Sequence, residues 1–403
     1  MTGPPDPRIS QERPFSDSYC VEFVGSGRGT VSGGVHGERL ARVRAAMAEQ
    51  GVDALLLSVG ADLPWLCGYE AMPLERLTML VVPREGDAHL VVPRLEAPRV
   101  VERPDVFTVV PWDETDDPVE VVAQLLGPVT VAAIGDRTWA RFLVELLARL
   151  DGTTFRRSSD VVGPIRAVKD AAEIAALRRA SAAADRVATQ LHAGAIPLIG
   201  RTEAEVSADL GRRLVDEGHH KVNFAIVASG PNAASPHHEP GDRVIRAGEV
   251  VLCDFGGTLP PDDTGAGYCS DITRCVYTGE PPAAFRDLYA VLEDAQAQAV
   301  AGATVGTPCE DVDAVARRVI TEGGYGDYFI HRTGHGIGIE EHEDPYVVAG
   351  NCTALVPGHA FSVEPGIYIP GEWGARLEDI VVAAEAGPDP LNLVDHGLVV
   401  IEA

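Results

Sequence analysis

Three segments in the second half of the chain have the apolar composition of buried strands, yet each carries one acid. Asp254 interrupts "VVLCDFGGT", Glu364 interrupts "FSVEPGIYI" and Glu378 interrupts "ARLEDIVV". A fourth acid, Asp271, stands just before another strand-like run. A buried carboxylate without a partner is unfavourable, so each of these acids needs a cation or a hydrogen-bonding partner. One such acid could be a satisfied polar residue of the core, but four of them favour a common site.

A histidine-rich stretch lies between these strands. The run "FIHRTGHGIGIEEHEDP", residues 329–345, places His331, His335 and His342 among glycines and acids. By itself this run allows a metal site, a proton-transfer site or a solvated loop. Four carboxylates and one histidine suit two divalent ions such as Mn, Co, Zn or Fe. Two ions about 3.5–4 Å apart could share carboxylates and hold a hydroxide between them, which is a nucleophile at neutral pH.

The length of the chain, 403 residues, predicts two domains, because it exceeds what one ordinary core supports. Residues 1–36 are rich in Gly, Ser and Pro and are predicted to form a loosely ordered extension. Residues 37–160 alternate helical and strand-like runs, which predicts an α/β domain. A long Ala-rich helix that begins near Asp170 leads into a second domain, residues 165–403, which holds nearly all of the chemically suggestive side chains.

Charge and hydropathy limit the partners of the chain. The net charge is −27, and a surface this acidic repels nucleic acid and anionic lipid, so we expect neither as a partner. No apolar run is long enough to span a membrane, and the first twenty residues lack the apolar core of a signal peptide. The seven cysteines contain no CxxC pair, which fits a reducing compartment. A cytoplasmic location is therefore expected.

Taken in order, five motifs resemble the pita-bread metallopeptidases. They are "LCDFGG", "GYCSDITR", "HRTGHGIGIEEHEDP", "SVEPGIY" and "RLEDIV", and the likeness extends from about residue 165 to the end. That family includes Xaa-Pro aminopeptidase, prolidase and methionine aminopeptidase, together with the metal-free relative creatinase. Residues 37–160 resemble the creatinase/prolidase-type N-terminal domain. The resemblance implies an α/β N-terminal domain followed by an α+β pita-bread catalytic domain.

The resemblance also implies a set of ligands for two divalent metal ions, with Mn as the first choice and Co, Zn or Fe as alternatives. Asp271 and Glu378 would bridge the two ions, and Glu364 would in addition act as general base. The full implied set is Asp254, Asp271, His335, Glu364 and Glu378. Because all five are present, neither a metal-free enzyme nor a non-catalytic binding module is favoured.

Further residues are implied to contact the substrate. His237, His331 and His342 match active-site histidines that hold the substrate carbonyl or the tetrahedral intermediate, as donors to developing negative charge. The Pro-His order in "SPHHEP" favours His237 over its neighbour His238. Two more residues are tentative candidates. Arg376 could support a metal ligand or meet a carboxylate, and Trp65 could touch substrate, although a core position is the simpler interpretation of Trp65.

The function implied is that of an exopeptidase, a metallopeptidase that hydrolyses Xaa-Pro bonds of short peptides by attack of a metal-bridging hydroxide. It would be an Xaa-Pro dipeptidase or aminopeptidase, and the family suggests a homodimer. The alternative is the same metal scaffold acting on another small molecule, as a specialised amide or ester hydrolase or a lyase.

Two departures from the family pattern bear on these expectations. Asp271 follows Asp254 by 17 residues, which is longer than the family leads us to expect. We interpret the extra "PPDDTG" as an enlarged turn and expect the strand pair to form. Cys275 stands where the family usually has a Thr that orients a ligand carboxylate, so weaker support of that carboxylate is predicted.

Overall fold

The computed structural model describes residues 34–262 and 264–402, and these lie in one compact unit, Gly33–Ala403. Most of the predicted N-terminal extension, residues 1–33, lies outside the described residues. Residues 34–36, predicted as its end, instead belong to the first helix.

The first half of the described chain forms one mixed sheet with helices on both faces. Its strands follow the order β4-β3-β2-β1-β5-β6, in which β5 is parallel to both β1 and β6. Leu55 and Leu57 of β1 join a core with helix α1, whereas Leu56 joins a second core with helices α3 and α4. In chain order the elements are α1 (Gly34–Gln50), β1 (Ala54–Leu57), α2 (Asp62–Cys67), β2 (Met79–Pro83), β3 (His89–Pro93), β4 (Thr108–Trp112), α3 (Pro118–Leu126), β5 (Val131–Ile134), α4 (Ala140–Arg149), β6 (Thr154–Arg157) and α5 (Ser159–Ala167).

The second half opens with the long helix predicted near Asp170. The Asp170 carboxylate accepts a hydrogen bond from the backbone N–H of Glu173, and the Glu173 carboxylate accepts one from the backbone N–H of Asp170. This capping box satisfies amide groups that the first turn of a helix leaves without partners. The predicted start of the helix is therefore confirmed.

Two larger sheets and a hairpin follow that helix, with further helices packed against them. One sheet has the order β17-β9-β8-β7 and the other the order β11-β10-β12-β15-β16, while β13 and β14 form the hairpin. The elements are α6 (Ala171–His192), α7 (Glu203–Asp216), β7 (Lys221–Ser229), β8 (Val250–Thr258), β9 (Ile272–Thr278), α8 (Ala283–Gly302), α9 (Cys309–Glu322), β10 (Gly334–Gly336), β11 (Glu343–Val347), β12 (Ala360–Val363), β13 (Gly366–Ile369), β14 (Trp373–Arg376), β15 (Asp379–Val382), β16 (Asp389–Pro390) and β17 (Val399–Ile401).

The enlarged turn between β8 and β9 leaves the strand pair intact, as predicted. The two strands pair in antiparallel register from Val250–Tyr277 to Phe255–Ile272. The turn itself contacts the N-terminal half, because the guanidinium of Arg39 donates to the backbone carbonyl of Thr264 at 2.8 Å. Within the described residues, no helix combines the length and apolar character needed to cross a membrane.

Candidate active site

The strands of the second half bring the predicted ligands toward one another. Asp254 lies within β8 directly opposite Thr273 of β9. An isolated backbone bridge pairs Thr273 with Glu378. The residue that precedes β15 therefore lies beside Thr273 as well. His335 lies on β10, and Glu364 follows β12, the strand between β10 and β15.

Distances confirm that the acidic and histidine side chains meet. Asp271, His335 and Glu378 are buried, and each presents one donor atom within 4.8 Å of the donor atoms of the other two. The Nε2 atom of His335 lies 3.2 Å from Oε1 of Glu364 and 3.9 Å from Oδ2 of Asp271. The cluster is therefore assembled from segments far apart in the chain.

Three of the acids have a raised pKa. Burial is the main cause, and repulsion by neighbouring carboxylates adds to it. The pKa values of Asp271 and Glu378 lie well above their usual range, and that of Asp254 is also raised. The ionised forms of these groups are therefore disfavoured without a nearby positive charge.

The donor set fits divalent metal ions. Two buried oxygens, Oδ1 of Asp254 and Oδ1 of Asp271, have no hydrogen-bond partner within the part of the chain that the structure describes. Buried polar atoms without partners are uncommon and are stabilised by an ion or a proton. Carboxylate oxygens together with one imidazole nitrogen suit Mn, Co, Zn and Fe. These residues can therefore hold such ions.

Glu364 differs from the other acids because its pKa is lowered. Burial alone would raise the pKa, but the hydrogen bond to His335 and the positive charge of nearby groups outweigh that effect. The hydroxyl of Ser362 donates to Oε1 of Glu364 at 3.1 Å and accepts the backbone N–H of His335 at 3.0 Å. Glu364 is thus an oriented, ionised carboxylate, which is the form that accepts a proton.

Arg376 lies within the cluster and is 2% exposed. Its Nη2 atom lies 2.5 Å from Oδ2 of Asp254, and its Nε atom donates to Oγ1 of Thr273 at 3.1 Å. Its Nη1 atom donates to the hydroxyl of Tyr368 at 2.8 Å. Of the two roles predicted for Arg376, these contacts favour the support of a ligand, here Asp254.

The three predicted catalytic histidines lie on segments that contact the carboxylate cluster. Burial is the main cause of the lowered pKa of His331 and of His342, and the pKa of His342 falls to about 4. His237 directly follows Pro236, whose backbone carbonyl accepts from Nη1 of Arg376 at 3.3 Å, so the segment that carries His237 contacts the cluster. His238 instead bonds Glu203, its Nε2 atom lying 2.7 Å from Oε2 of that buried acid. The ring of His238 is thus engaged elsewhere, and the choice of His237 stays a prediction.

His331 and His342 differ in their hydrogen bonding. The ring of His331 lies between the backbone carbonyl of Arg332, 2.7 Å from Nδ1, and the hydroxyl of Tyr368, 2.9 Å from Nε2. Because a carbonyl only accepts, Nδ1 carries the proton and Nε2 accepts from Tyr368 when the ring is neutral. His342 is exposed as a residue, while its ring is partly covered within the site, its centroid lying 4.0 Å from that of His335.

The structure places Trp65 in the core of the N-terminal half. The side chain is 1% exposed, its indole N–H donates to Oε1 of Glu173 at 3.0 Å, and the guanidinium of Arg39 lies over its ring. The tentative role of Trp65 in substrate contact is therefore corrected to a structural one. The reason is that the buried pair formed by Arg39 and Glu173 provides the polar partner that its N–H requires.

Sequence reasoning missed Thr273, which takes over the role expected at residue 275. The hydroxyl of Thr273 donates to Oε2 of Glu378 at 2.7 Å. The thiol of Cys275 reaches only the backbone carbonyl of Arg376, at 3.5 Å. Support of the carboxylate is thus present but comes from the residue two positions earlier on the same face of β9.

Ser362 and Tyr368 were also missed, although a signal existed for Ser362. It precedes Glu364 by two residues, so the alternation of a strand places both side chains on one face. No local pattern identifies Tyr368, whose hydroxyl joins Arg376 to His331.

Glycines permit the close backbone approach around His335. A Cβ atom on Gly334 would lie 1.8 Å from the carbonyl oxygen of Ser362, and one on Gly336 would lie 2.2 Å from that of Asp344. No side chain fits at either distance, so the strand carrying His335 requires glycine on both sides.

Comparison with known proteins agrees with this arrangement. The sequence profile of metallopeptidase family M24 matches residues 175–385, and the profile of the creatinase/prolidase N-terminal domain matches residues 39–168. The probable dipeptidase PepE of Mycobacterium tuberculosis is 44% identical over 371 residues, covering 91% of this chain and 97% of the relative.

Solved structures are similar over almost the whole chain. The dipeptidase PepE from Mycobacterium ulcerans has a TM-score of 0.86 at 42% identity, covering 94% of this chain and 100% of that one. The prolidase from Thermococcus sibiricus has a TM-score of 0.84 at 33% identity, covering 93% and 100%. The Xaa-Pro dipeptidase from Bacillus anthracis has a TM-score of 0.82 at 30% identity, covering 91% and 100%. The predicted family and fold class are confirmed, and the chain belongs to metallopeptidase family M24, with an N-terminal domain of the creatinase/prolidase type.

Proposed function

We propose that this metallopeptidase hydrolyses Xaa-Pro bonds of short peptides, as a dipeptidase or an aminopeptidase, with two bound divalent ions of which Mn is the first choice. The observation that carries the proposal is the buried group of Asp271, His335 and Glu378, with Glu364 beside His335 and one unsatisfied oxygen each on Asp254 and Asp271. The printed names of the relatives, dipeptidase, prolidase and Xaa-Pro dipeptidase, support the substrate class.

The residues that would hold the two ions are Asp254, Asp271, His335, Glu364 and Glu378. Divalent ions bound there supply a water activated at neutral pH and polarise the carbonyl of the scissile bond. The burial and mutual repulsion of the carboxylates support this assignment, because two cations would compensate their charges.

Glu364 is the proposed general base. Its carboxylate has a lowered pKa and accepts a hydrogen bond from the hydroxyl of Ser362, so it is ionised and oriented to take a proton from the attacking water. After the bond to proline breaks, the same carboxyl group can return that proton to the departing nitrogen. Proline is a secondary amine and needs this proton to leave in neutral form.

His237 and His342 are the proposed donors to the carbonyl oxygen as it gains negative charge. The lowered pKa keeps the ring of His342 neutral at pH 7, which leaves one N–H to donate. In neutral His331 both ring nitrogens are already engaged, so we assign it the role of holding Tyr368 and relaying a proton. A homodimer, a cytoplasmic location and the domain limits 37–160 and 165–403 remain predictions.

The proposal is tested by hydrolysis assays on metal-stripped protein, with and without added Mn or Co. The substrates are Ala-Pro, Gly-Pro and an Xaa-Pro-Yaa tripeptide, with Ala-Ala as the control peptide. We expect metal-dependent cleavage of the proline peptides that disappears in Glu364→Ala. The ratio between dipeptide and tripeptide then separates a dipeptidase from an aminopeptidase. Metal binding without cleavage of any proline peptide would refute the Xaa-Pro assignment and favour the alternative of another small amide or ester.

A further inference from the structure

A cluster of buried and partly buried charges joins the N-terminal half of the chain to the segment that carries His342. We call this group the Arg166 cluster, and its members are Asp62, Arg166, Lys169, Glu340 and Glu343. The Nη1 atom of Arg166 lies 2.6 Å from Oδ1 of Asp62 and 3.0 Å from Oε2 of Glu340. Its Nη2 atom bonds Oε2 of Glu343, whose other oxygen lies 2.5 Å from Nζ of Lys169. One guanidinium thus connects helix α2, its own helix α5, the segment between β10 and β11, and the first residue of β11.

The two acids of the second half stand on either side of His342. Glu340 precedes His342 by two residues and Glu343 follows it directly. The Arg166 side chain is only 9% exposed, and the Glu343 side chain is equally buried. Because both acids bond the same rigid guanidinium, the short backbone segment between them is fixed in position.

His342 itself has little else to hold it. Within residues 34–262 and 264–402 its ring makes no hydrogen bond or ion pair, and its one ring contact is with His335, at a centroid distance of 4.0 Å. The direction of the imidazole is therefore set by its backbone and by the two residues that flank it.

We infer that Arg166 is a positioning residue for His342, so that the N-terminal domain orients a group of the active site. This inference rests on the proposed function only in the role it gives to His342. Arg166 itself touches no reacting atom. It acts by holding Glu340 and Glu343, and through them the donor N–H of His342, at the distance that the reacting oxygen requires.

Lysine cannot replace this arginine fully. Arg166 bonds three carboxylates, two through Nη1 and one through Nη2. Its planar guanidinium has five N–H donors and can bond all three acids at once. An ammonium on a flexible stem, as in Lys169, bonds Glu343 but spans fewer acids. Arg166→Lys should therefore keep the fold but retain only part of the wild-type kcat.

The test is a double-mutant cycle on the full, metal-loaded chain with Ala-Pro as substrate. Arg166→Met should lower kcat roughly ten- to hundredfold, with a smaller change in KM, because a catalytic group is misplaced. The same substitution in a His342→Ala background should change kcat by less than about twofold, because the group it positions is gone. An equal fall of kcat in both backgrounds, or no fall in the wild-type background, would overturn the inference.

Arg157→Met is the matched control. Arg157 lines the same cavity of about 320 Å³ as Arg166 and His342, yet its side chain is 72% exposed and its ion pair is with Asp160, three residues along the chain. We expect kcat to stay within about twofold of wild type. If Arg166→Met does not fold, Glu340→Gln serves in the same cycle, since it removes one charge but keeps the shape of the side chain.

A second readout separates this inference from the proposed function. Histidine side-chain NMR on metal-free protein gives a resonance of His342, assigned by its absence in His342→Ala. We expect this resonance to move in Arg166→Met and in Glu340→Gln, and to stay in place in Arg157→Met. If wild type cleaves no proline peptide, the proposed function fails, and the resonance alone decides whether Arg166 positions His342. An unmoved resonance in both variants would refute it.

Discussion

Replacing Thr273 by valine should weaken metal binding without changing the shape of the site. Thr273 is fully buried, and its hydroxyl donates to Oε2 of Glu378 at 2.7 Å. Valine fills the same space but offers no hydroxyl. A hydrogen bond to a charged group contributes about 1.5–3 kcal/mol, so the dissociation constant of the metal should rise roughly 10- to 100-fold. The hydroxyl also accepts from Arg376, but that arginine keeps its bonds to Asp254 and Tyr368.

Isothermal titration calorimetry of Mn into metal-stripped protein measures this change directly. The matched control is Cys275→Ala, the next residue on the same face of β9, which is equally buried but bonds only a backbone carbonyl. We expect its metal affinity to match that of wild type, even if removal of the thiol lowers stability. Unchanged affinity in Thr273→Val, or an equal loss in Cys275→Ala, would refute the assignment of carboxylate support to Thr273.

Three further predictions concern stability. Arg39→Met leaves the buried Glu173 without its charged partner, so the free energy of unfolding should fall by about 3–5 kcal/mol in urea denaturation. Trp65→Phe keeps an aromatic ring but removes the N–H donor to Glu173, so the free energy of unfolding should fall by about 1–3 kcal/mol. The KM for Ala-Pro should be unchanged, and a raised KM would indicate that Trp65 contacts the substrate. Burial raises the pKa of Glu343, but the positive charges of Lys169 and Arg166 outweigh this effect and hold the pKa below its usual value of 4.5. The resulting stabilisation is complete above the unfolded pKa and is lost as the pH falls through the lower folded pKa, so Glu343→Gln should reduce the loss of Tm between about pH 5 and pH 3.

The ligand residues could be proposed from sequence because their signal is local. An acid inside an apolar strand such as "VVLCDFGGT" stands out within nine residues, and the order of five such motifs adds to its specificity. The paired strands β8 and β9 could be expected for the same reason, despite the long turn between Asp254 and Asp271. Alternation along a strand could also have identified Ser362, two residues before Glu364.

Other features depend on partners that are distant in the chain. The choice between a core position and substrate contact stayed open for Trp65 because its partner Glu173 lies 108 residues away, and nothing near Trp65 indicates a buried acid. Arg166 bonds acids that are 104, 174 and 177 residues away, so its role becomes visible only when the two halves are packed together. Such contacts are fixed by tertiary packing, which local sequence patterns do not encode.

The most direct test of the central claim is the rate of Ala-Pro hydrolysis as Mn is added back to stripped protein, with bound metal measured on the same samples. The account predicts that activity rises with bound metal up to two ions per chain and is absent from Glu364→Ala at any metal content. Hydrolysis that is independent of bound metal, or that persists in Glu364→Ala, would contradict it.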